Sequence, residues 1–321
     1  MRSSLLQRTL HARASARNFR NGSPRCLCMR TGSMEAMRNT IFWQSKLVLL
    51  AVLPVAATDL ILETHWWATQ MPMVALEVLG TSLLLGLVSW RLGAATPGAA
   101  AAGVAITASL IYSTESWPYQ PWRTALVPVL LVALLAHLAT RLGRGRKQRL
   151  GLAEAKRGRT ASQIAANLGV AMLAAHPFLL DLLGGKQGQG VAMPMFAITL
   201  AAFAEAAADT VASEIGQVFG GAPRLLTTLR RVPAGTNGAI SLSGTAAGAL
   251  AALVVAAAGA WAVHDGPSTF WIALGGGVFG LFFDSLLGAT IEDRGWLNND
   301  AVNFLSTASA ALFAMLLLVV L

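Results

Sequence analysis

Three carboxylates stand in a stretch made almost wholly of alanine, AAFAEAAADTVASEIG at residues 201–216: Glu205, Asp209 and Glu214. An acid at the centre of a membrane-spanning helix costs about 2.5–3.5 kcal/mol on insertion scales, so it faces a cavity or a partner rather than lipid. Glu205 and Asp209 are four residues apart and share one helical face, which Ala212 and Ser213 continue. Glu214 is rotated well away, which places it past the helix end or against a different wall. A fourth acid, Asp284, sits in LGGGVFGLFFDSLLGATIEDRG, residues 274–295, where Gly276, Gly280, Asp284 and Gly288 recur every four residues. Tight helix packing accounts for the glycines of that stripe but not for its aspartate. Acids in these positions suit a bound cation or a proton site.

Other polar groups stand near them in the chain. GTNG, residues 235–238, offers free backbone N–H groups, and the helix start that follows it, SLSGTAAG from Ser241, completes a plausible anion cradle. Gln163 and Asn167, four apart, are polar on an otherwise apolar helix start. In NNDAVNF, residues 298–304, Asp300 or Asn299 is expected to cap the last helix, with Asn299 and Asn303 presenting amides beside it. GxxxxGK[ST], HExxH and G-x-S-x-G patterns are absent from the sequence.

The elements that must hold these groups are membrane helices. The 321 residues are 55% hydrophobic and 12% charged, about half the charged fraction of a soluble protein. Hydrophobic length predicts an all-α polytopic membrane protein with nine spans, near 42–62, 71–92, 97–113, 123–140, 161–182, 191–213, 242–263, 268–290 and 301–321. With the N-terminus in the cytoplasm and the C-terminus outside, all but Arg123 and Lys186 of the 24 Lys and Arg fall on the inner side. The nine tryptophans lie at or near span ends, where an amphipathic ring prefers the headgroup layer. In this orientation Glu205, Asp209, Asp284, the 220–244 loop and residues 298–304 gather on the cytoplasmic side. The +9 formal charge then reflects orientation and anionic lipid, not nucleic acid.

Residues 41–321 read as one transmembrane domain, preceded by an Arg- and Ser-rich segment, residues 1–40. Its composition matches an organellar transit peptide; a disordered basic tail, or a true start at Met29, Met34 or Met37, is the reading we prefer. The expected location is accordingly a prokaryotic inner or plasma membrane, or a plastid membrane if the segment is a transit peptide. Cys26 and Cys28 both lie in this segment and have no companion ligands, and the five histidines show no metal-ligand spacing.

GRTASQIAAN, ADTVASEIG, VPAGTNGAISLSGT, DSLLGAT and NNDAVNF, in this order, resemble an integral-membrane family that includes plant phytyl-phosphate kinase and an uncharacterised animal multi-span protein. The resemblance covers about residues 80–321 and implies transfer of a phosphoryl group from CTP or ATP to an isoprenyl monophosphate, of phytyl or geranylgeranyl type. The functional positions it implies are Asp209, Glu214, Asn237, Asp284, Asn299, Asp300 and Asn303. Phosphoryl transfer rests on positioning and charge neutralisation, and Mg²⁺ takes one or two carboxylates plus phosphates and water. On this reading Asp209 and Asp284 hold Mg²⁺ with support from Glu205 or Glu214, and Asp300 joins the catalytic group. Arg159, Arg224 and the backbone of Gly235, Thr236, Asn237 and Gly238 cradle phosphates, with Gln163, Asn167, Ser241, Asn299 and Asn303 beside them. The partners expected are an isoprenoid lipid in the membrane and a nucleoside triphosphate from the cytoplasm.

Two other functions stay open at this stage. A proton- or cation-coupled transporter would use intramembrane acids, but near the midplane and with internal repeats; neither sign is present. A CTP-dependent lipid cytidylyltransferase would have similar substrates, but the Lys-Asp ending of that family has no counterpart here.

Overall fold

A computed structural model describes residues 42–115, 118–153, 158–176, 192–264 and 266–320. The segment 1–40 with Cys26 and Cys28, the basic residue Lys186, Trp117 and the expected continuation of the fifth span over 177–182 lie outside these residues. The described chain is all-α apart from one two-residue hairpin pairing. Its helices are α1 (Trp43–Gln70), α2 (Pro72–Arg91), α3 (Pro97–Ser113), α4 (Leu126–Arg141), α5 (Arg144–Leu150), α6 (Ala161–Ala175), α7 (Ala192–Phe219), α8 (Leu242–Ala262), α9 (Pro267–Leu287) and α10 (Asn299–Val320). A short π-helical turn, Gly288–Glu292, extends α9, and strands β1 (Arg224–Leu225) and β2 (Ala239–Ile240) pair antiparallel in the loop between α7 and α8.

Every expected span coincides with a helix, but not all are long enough to cross a bilayer. Six of the described helices, α1, α2, α7, α8, α9 and α10, have the length and apolarity for a crossing. α4 and α5 pass only together, as a pair bent by 62°. α3 and α6 are shorter apolar helices of 17 and 15 residues. Seventeen residues rise about 26 Å, short of the roughly 30 Å hydrocarbon layer. α3 tolerates this because protein surrounds its second half, where Ile106, Ala108, Leu110 and Ile111 are fully buried. The bend after α4 sits at Gly143, which adopts φ +64° and whose Cβ, were there one, would lie 2.6 Å from the Val218 methyls. The basic stretch after it, expected as a loop, therefore begins as a helix.

α7 is the centre of the bundle. It packs against α4, α6, α8, α9 and α10, and 78% of its apolar window is buried, against 17–44% for the other long spans. Its alanines present an almost flat surface, and glycines on two neighbours meet it. A Cβ at Gly248 of α8 would stand 2.7 Å from the Ala208 carbonyl oxygen, and one at Gly244 2.6 Å from that of Ala212. On α9, a Cβ at Gly277 would stand 2.6 Å from Ala204 Cβ and one at Gly276 2.7 Å from Ala201 Cβ. Packing between membrane helices depends on such backbone approach, because lipid tails compete with apolar side chains but not with close contact.

The helix starts are locally encoded. Pro72, Pro97 and Pro267 occupy first-turn positions, where a missing N–H costs nothing. Thr96, Thr160 and Ser241 accept bonds from the backbone N–H groups of Ala99, Gln163 and Gly244. α10 is capped by Asn298, whose Oδ1 accepts from Ala301 N at 3.0 Å. The cap thus lies one residue before the expected Asn299 and two before Asp300.

These contacts predict that Gly248→Val separates α8 from α7. Overpacking costs about 1–3 kcal/mol, so the variant should melt at a clearly lower temperature in detergent than wild type. Gly98→Ala, at a helical position with open space around it, should leave the melting temperature unchanged.

Candidate functional site

Alternation of the helices brings the starts of α6, α8 and α10 and the later parts of α7 and α9 to one end of the bundle. A polar cavity of about 270 Å³ opens there. α7 supplies Asp209 and Glu214, α9 supplies Asp284, and the π turn supplies Glu292. Gln163 and Asn167 of α6, Asn299 and Asn303 of α10, and Arg159 just before α6 line the same cavity. The loop residues Gly235, Thr236, Asn237, Gly238 and Ser241 form the remaining wall. Of the residues singled out in sequence, only Glu205, Arg224 and Asp300 do not line it.

The loop wall owes its shape to two glycines. Gly235 (φ +85°) and Gly238 (φ +68°) take left-handed conformations that side chains with a Cβ rarely adopt. Gly238 also lies against the π turn, where its Cβ would stand 2.6 Å from the Ala289 Cα, and Gly288 opposite would bring a Cβ 2.6 Å from the Gly238 nitrogen. Asn237, between the two glycines, lines the cavity. The π turn arises because Asp293 N bonds back five residues to Gly288 O at 3.1 Å, and such turns recur at functional sites.

Arg159 is positioned by backbone. Its N–H donates to Ala94 O at 2.9 Å and its carbonyl accepts from Thr96 N at 3.0 Å. The neighbouring Gly158 (φ +76°) lets the α2–α3 turn approach so closely that a Cβ there would meet Ala94 C at 2.6 Å. Gln163 closes a capping box: its Oε1 accepts from Thr160 N at 2.8 Å, and Thr160 Oγ1 accepts from Gln163 N. Asn167, nearly buried, donates from Nδ2 to the Gln163 carbonyl at 2.8 Å. Ser241 caps α8. These three are explained locally as well as by their place in the wall.

The carboxylates divide into different situations. Asp209 and Asp284 approach one another across the α7–α9 contact, with Ser306 of α10 within reach of Asp284. Asp284 Oδ2 is buried without a hydrogen-bond partner. An orphaned carboxylate oxygen beside a second carboxylate, at the edge of a polar cavity, fits a divalent cation that also takes phosphate and water ligands. Glu205, 1% exposed, lies one helical turn deeper than Asp209, about 6 Å along the axis. It is enclosed by Gly280, whose Cβ would meet its Cγ at 2.5 Å, and its Oε1 also has no partner. Among the described residues no three His, Cys, Asp or Glu side chains are arranged around one metal position; Asp209 and Asp284 are two carboxylates brought together at the cavity.

Glu214 is not past the helix end, since α7 continues to Phe219. Its carboxylate pairs with Lys147 of α5 and accepts from Thr140 Oγ1 at 3.1 Å. Lys147, 1% exposed, also donates to the Ala139 carbonyl at 2.8 Å and that of Thr140 at 3.3 Å. Asp300 turns to α1, where Ser45 Oγ donates to it at 2.6 Å, and Arg224 is exposed and donates to the Leu229 carbonyl at 2.9 Å. Lys147 and Glu292 carry no signal in the sequence that marks them for this end of the bundle. At the far end of the bundle, Asp59, without a role in that reading, accepts from Ser109 Oγ at 2.6 Å and lies 2.9 Å from His176 Nε2.

The fold and the cavity together define a polytopic all-α membrane protein with an acid- and amide-lined chamber at one end. The chain belongs to the integral membrane protein DUF92 family, whose profile matches residues 80–311. It is 28% identical over 256 residues to protein VTE6, chloroplastic, of Arabidopsis thaliana, covering 78% of this chain and 72% of that one. An uncharacterised membrane protein of Synechocystis is 31% identical over 207 residues, 62% of this chain and 75% of its own. One of Methanocaldococcus jannaschii is 36% identical over 118 residues, which span 37% of this chain and 49% of that protein. No solved structure matches.

The Lys147–Glu214 pair generates a stability prediction. Removing one partner of a buried ion pair costs about 3–5 kcal/mol, whereas replacing both by apolar groups is often neutral. Lys147→Met should therefore lower the melting temperature strongly, and Lys147→Met with Glu214→Leu should recover most of the loss. Thermal unfolding of the purified variants by intrinsic fluorescence checks both.

Proposed function

We propose that this protein is a membrane-embedded kinase that transfers the γ-phosphoryl group of CTP or ATP to an isoprenyl monophosphate of phytyl or geranylgeranyl type. The observation that carries the reading is one cavity lined both by carboxylates, Asp209, Asp284 and Glu292, and by Arg159, the Asn237 loop and the starts of three helices. A helix N-terminus carries about half a positive charge and offers unpaired N–H groups, so the starts of α6, α8 and α10 favour phosphate oxygens. The acids favour a cation. A nucleoside triphosphate with its metal presents both. The motifs shared with a family that includes plant phytyl-phosphate kinase supply the substrate class.

The reaction asks little covalent help of the protein. An oxygen of the lipid monophosphate forms a bond to the γ-phosphorus, the bond from that phosphorus to the β–γ bridging oxygen breaks, and the nucleoside diphosphate leaves with the electron pair. A phosphate monoester is already largely dianionic at neutral pH, with a second pKa of about 6, so no general base is needed. Asp209 and Asp284 would hold Mg²⁺, which when bound neutralises the developing charge on the phosphoryl oxygens. Arg159 and the 235–238 backbone would orient the phosphates, and Asn299, Asn303, Gln163 and Asn167 would donate to their remaining oxygens. Glu214, committed to Lys147, would stabilise the wall rather than bind metal.

Purified protein with Mg²⁺, γ-labelled CTP or ATP and phytyl or geranylgeranyl monophosphate should move label into the lipid diphosphate. Asp209→Asn and Asp284→Asn should each lose about 10²-fold or more in kcat, the scale of removing one preorganised electrostatic contact, while melting no lower than wild type. Chelation of Mg²⁺ should abolish transfer reversibly. No labelled diphosphate from folded wild type with any donor and acceptor would reject the reading.

A further inference from the structure

A second cavity, of about 220 Å³, runs between α2, α3, α4 and α6. Its walls are mostly apolar, and it shares Arg159 and Asn167 with the polar cavity. We propose that this groove holds the hydrocarbon chain of the lipid monophosphate, with the phosphate at the Arg159–Asn167 junction, and that Gly103 sets the longest chain accepted. The proposal rests on the kinase reading for its phosphate and adds the place and the length limit of the tail.

Three observations single out this occupant. The groove follows α4 from Val129 to Arg141, a rise of about 18 Å, more than half of the hydrocarbon thickness. A chain hanging from the junction thus runs along the bilayer normal inside protein. Continuity with the polar cavity favours a lipid whose head reacts there over a bulk acyl chain that has no business at Arg159. The third observation is Gly103 itself. Small residues between membrane helices ordinarily serve packing, and Gly86 does, since its Cβ would touch Val104 Cγ2 at 2.5 Å. Gly103 does not: nothing lies within 4 Å of where its Cβ would be, although it lines the groove. The open space beside it is left over by packing. Gly103 is six residues into α3 from the Arg159 end, about 9 Å down, so bulk there blocks the deep half and spares the shallow half.

Two measurements test this. The first compares turnover of geranyl (ten-carbon) and geranylgeranyl (twenty-carbon) monophosphate by wild type and Gly103→Phe. The groove predicts that Gly103→Phe loses the longer substrate by more than about tenfold in kcat/KM relative to the shorter, since even one methylene in an apolar pocket is worth about 10-fold. The second uses Ala133→Cys, at an exposed position of α4 on the groove, in a chain with Cys26 and Cys28 changed to Ser. Maleimide labelling of the introduced thiol should slow with geranylgeranyl monophosphate and not with inorganic phosphate. Turnover with an unchanged length ratio in Gly103→Phe, or labelling unaffected by the long-chain monophosphate, overturns the groove and leaves the kinase reading standing. Shielding by the long-chain monophosphate without turnover of any substrate supports the groove and rejects the kinase. Neither turnover nor shielding rejects both. The labelling experiment decides the matter even where Gly103→Phe fails to fold.

Discussion

The close approach of α8 and α9 to the backbone of α7 is the contact on which the rest depends. A helix carrying Glu205 and Asp209 is costly in lipid, and it enters the bundle only because its neighbours cover it at backbone distance. Gly244 and Gly248 seat α8 on the Ala208 and Ala212 carbonyls, while Gly276, Gly277 and Gly280 bring α9 onto Ala201, Ala204 and Glu205. That packing carries Asp284 to Asp209, since Asp284 lies four residues beyond Gly280 on the same stripe. The glycines and the aspartate, which looked like separate features, are one device: the first make the contact and the last uses it.

The same alternation of helices sets the electrostatics. Helices that start at the cavity end, α6, α8 and α10, turn positive ends and free N–H groups toward it. Helices that finish there, α7 and α9, bring carboxylates. Their caps, Thr160, Ser241 and Asn298, are themselves short polar side chains, so the wall remains polar where the starts of the helices meet water. The 234–241 loop then bridges the two groups, folded on Gly235 and Gly238 and seated on the π turn. No long-range design beyond topology is needed to bring anion-favouring and cation-favouring groups together within a space of about 270 Å³.

Much of this was legible in the chain. Span positions follow from hydrophobic length, and the cavity residues were found because polar groups in an apolar protein need a reason. What was missed has physical causes. Lys147 hid in a basic run that orientation alone explains, and nothing in sequence says which lysine folds back under α4. Gln163 was readable, since Thr160-Ala-Ser-Gln163 is a capping box. Periodicity put Glu205 and Asp209 on one face correctly, but a shared face carries no depth, and one turn separates a cavity wall from a sealed interface. Glu292 depended on a π turn, which has no sequence signature of its own. Asp300 was an acid in the right loop whose nearest partner, Ser45, is 255 residues away.

Depth also bears on what the chamber can do. Beyond Asp209 the α7–α9–α10 interface is closed: a Cβ at Gly280 would stand 2.8 Å from Ala310 Cβ, and one at Gly276 2.8 Å from the Ala310 carbonyl. Glu205 lies within that contact, whereas Asp209 and Asp284 stand on its cavity side. A transferase needs a chamber open on one side, with separate approaches for a soluble and a lipid reactant. The backbone of Arg159, strapped to Ala94 and Thr96 in the α2–α3 turn, ties the polar cavity to the helices that line the apolar groove. On the proposed reading that strap is what makes the two phases meet at one phosphate: the residue that faces the nucleotide is fixed by the same turn that opens the path for the tail.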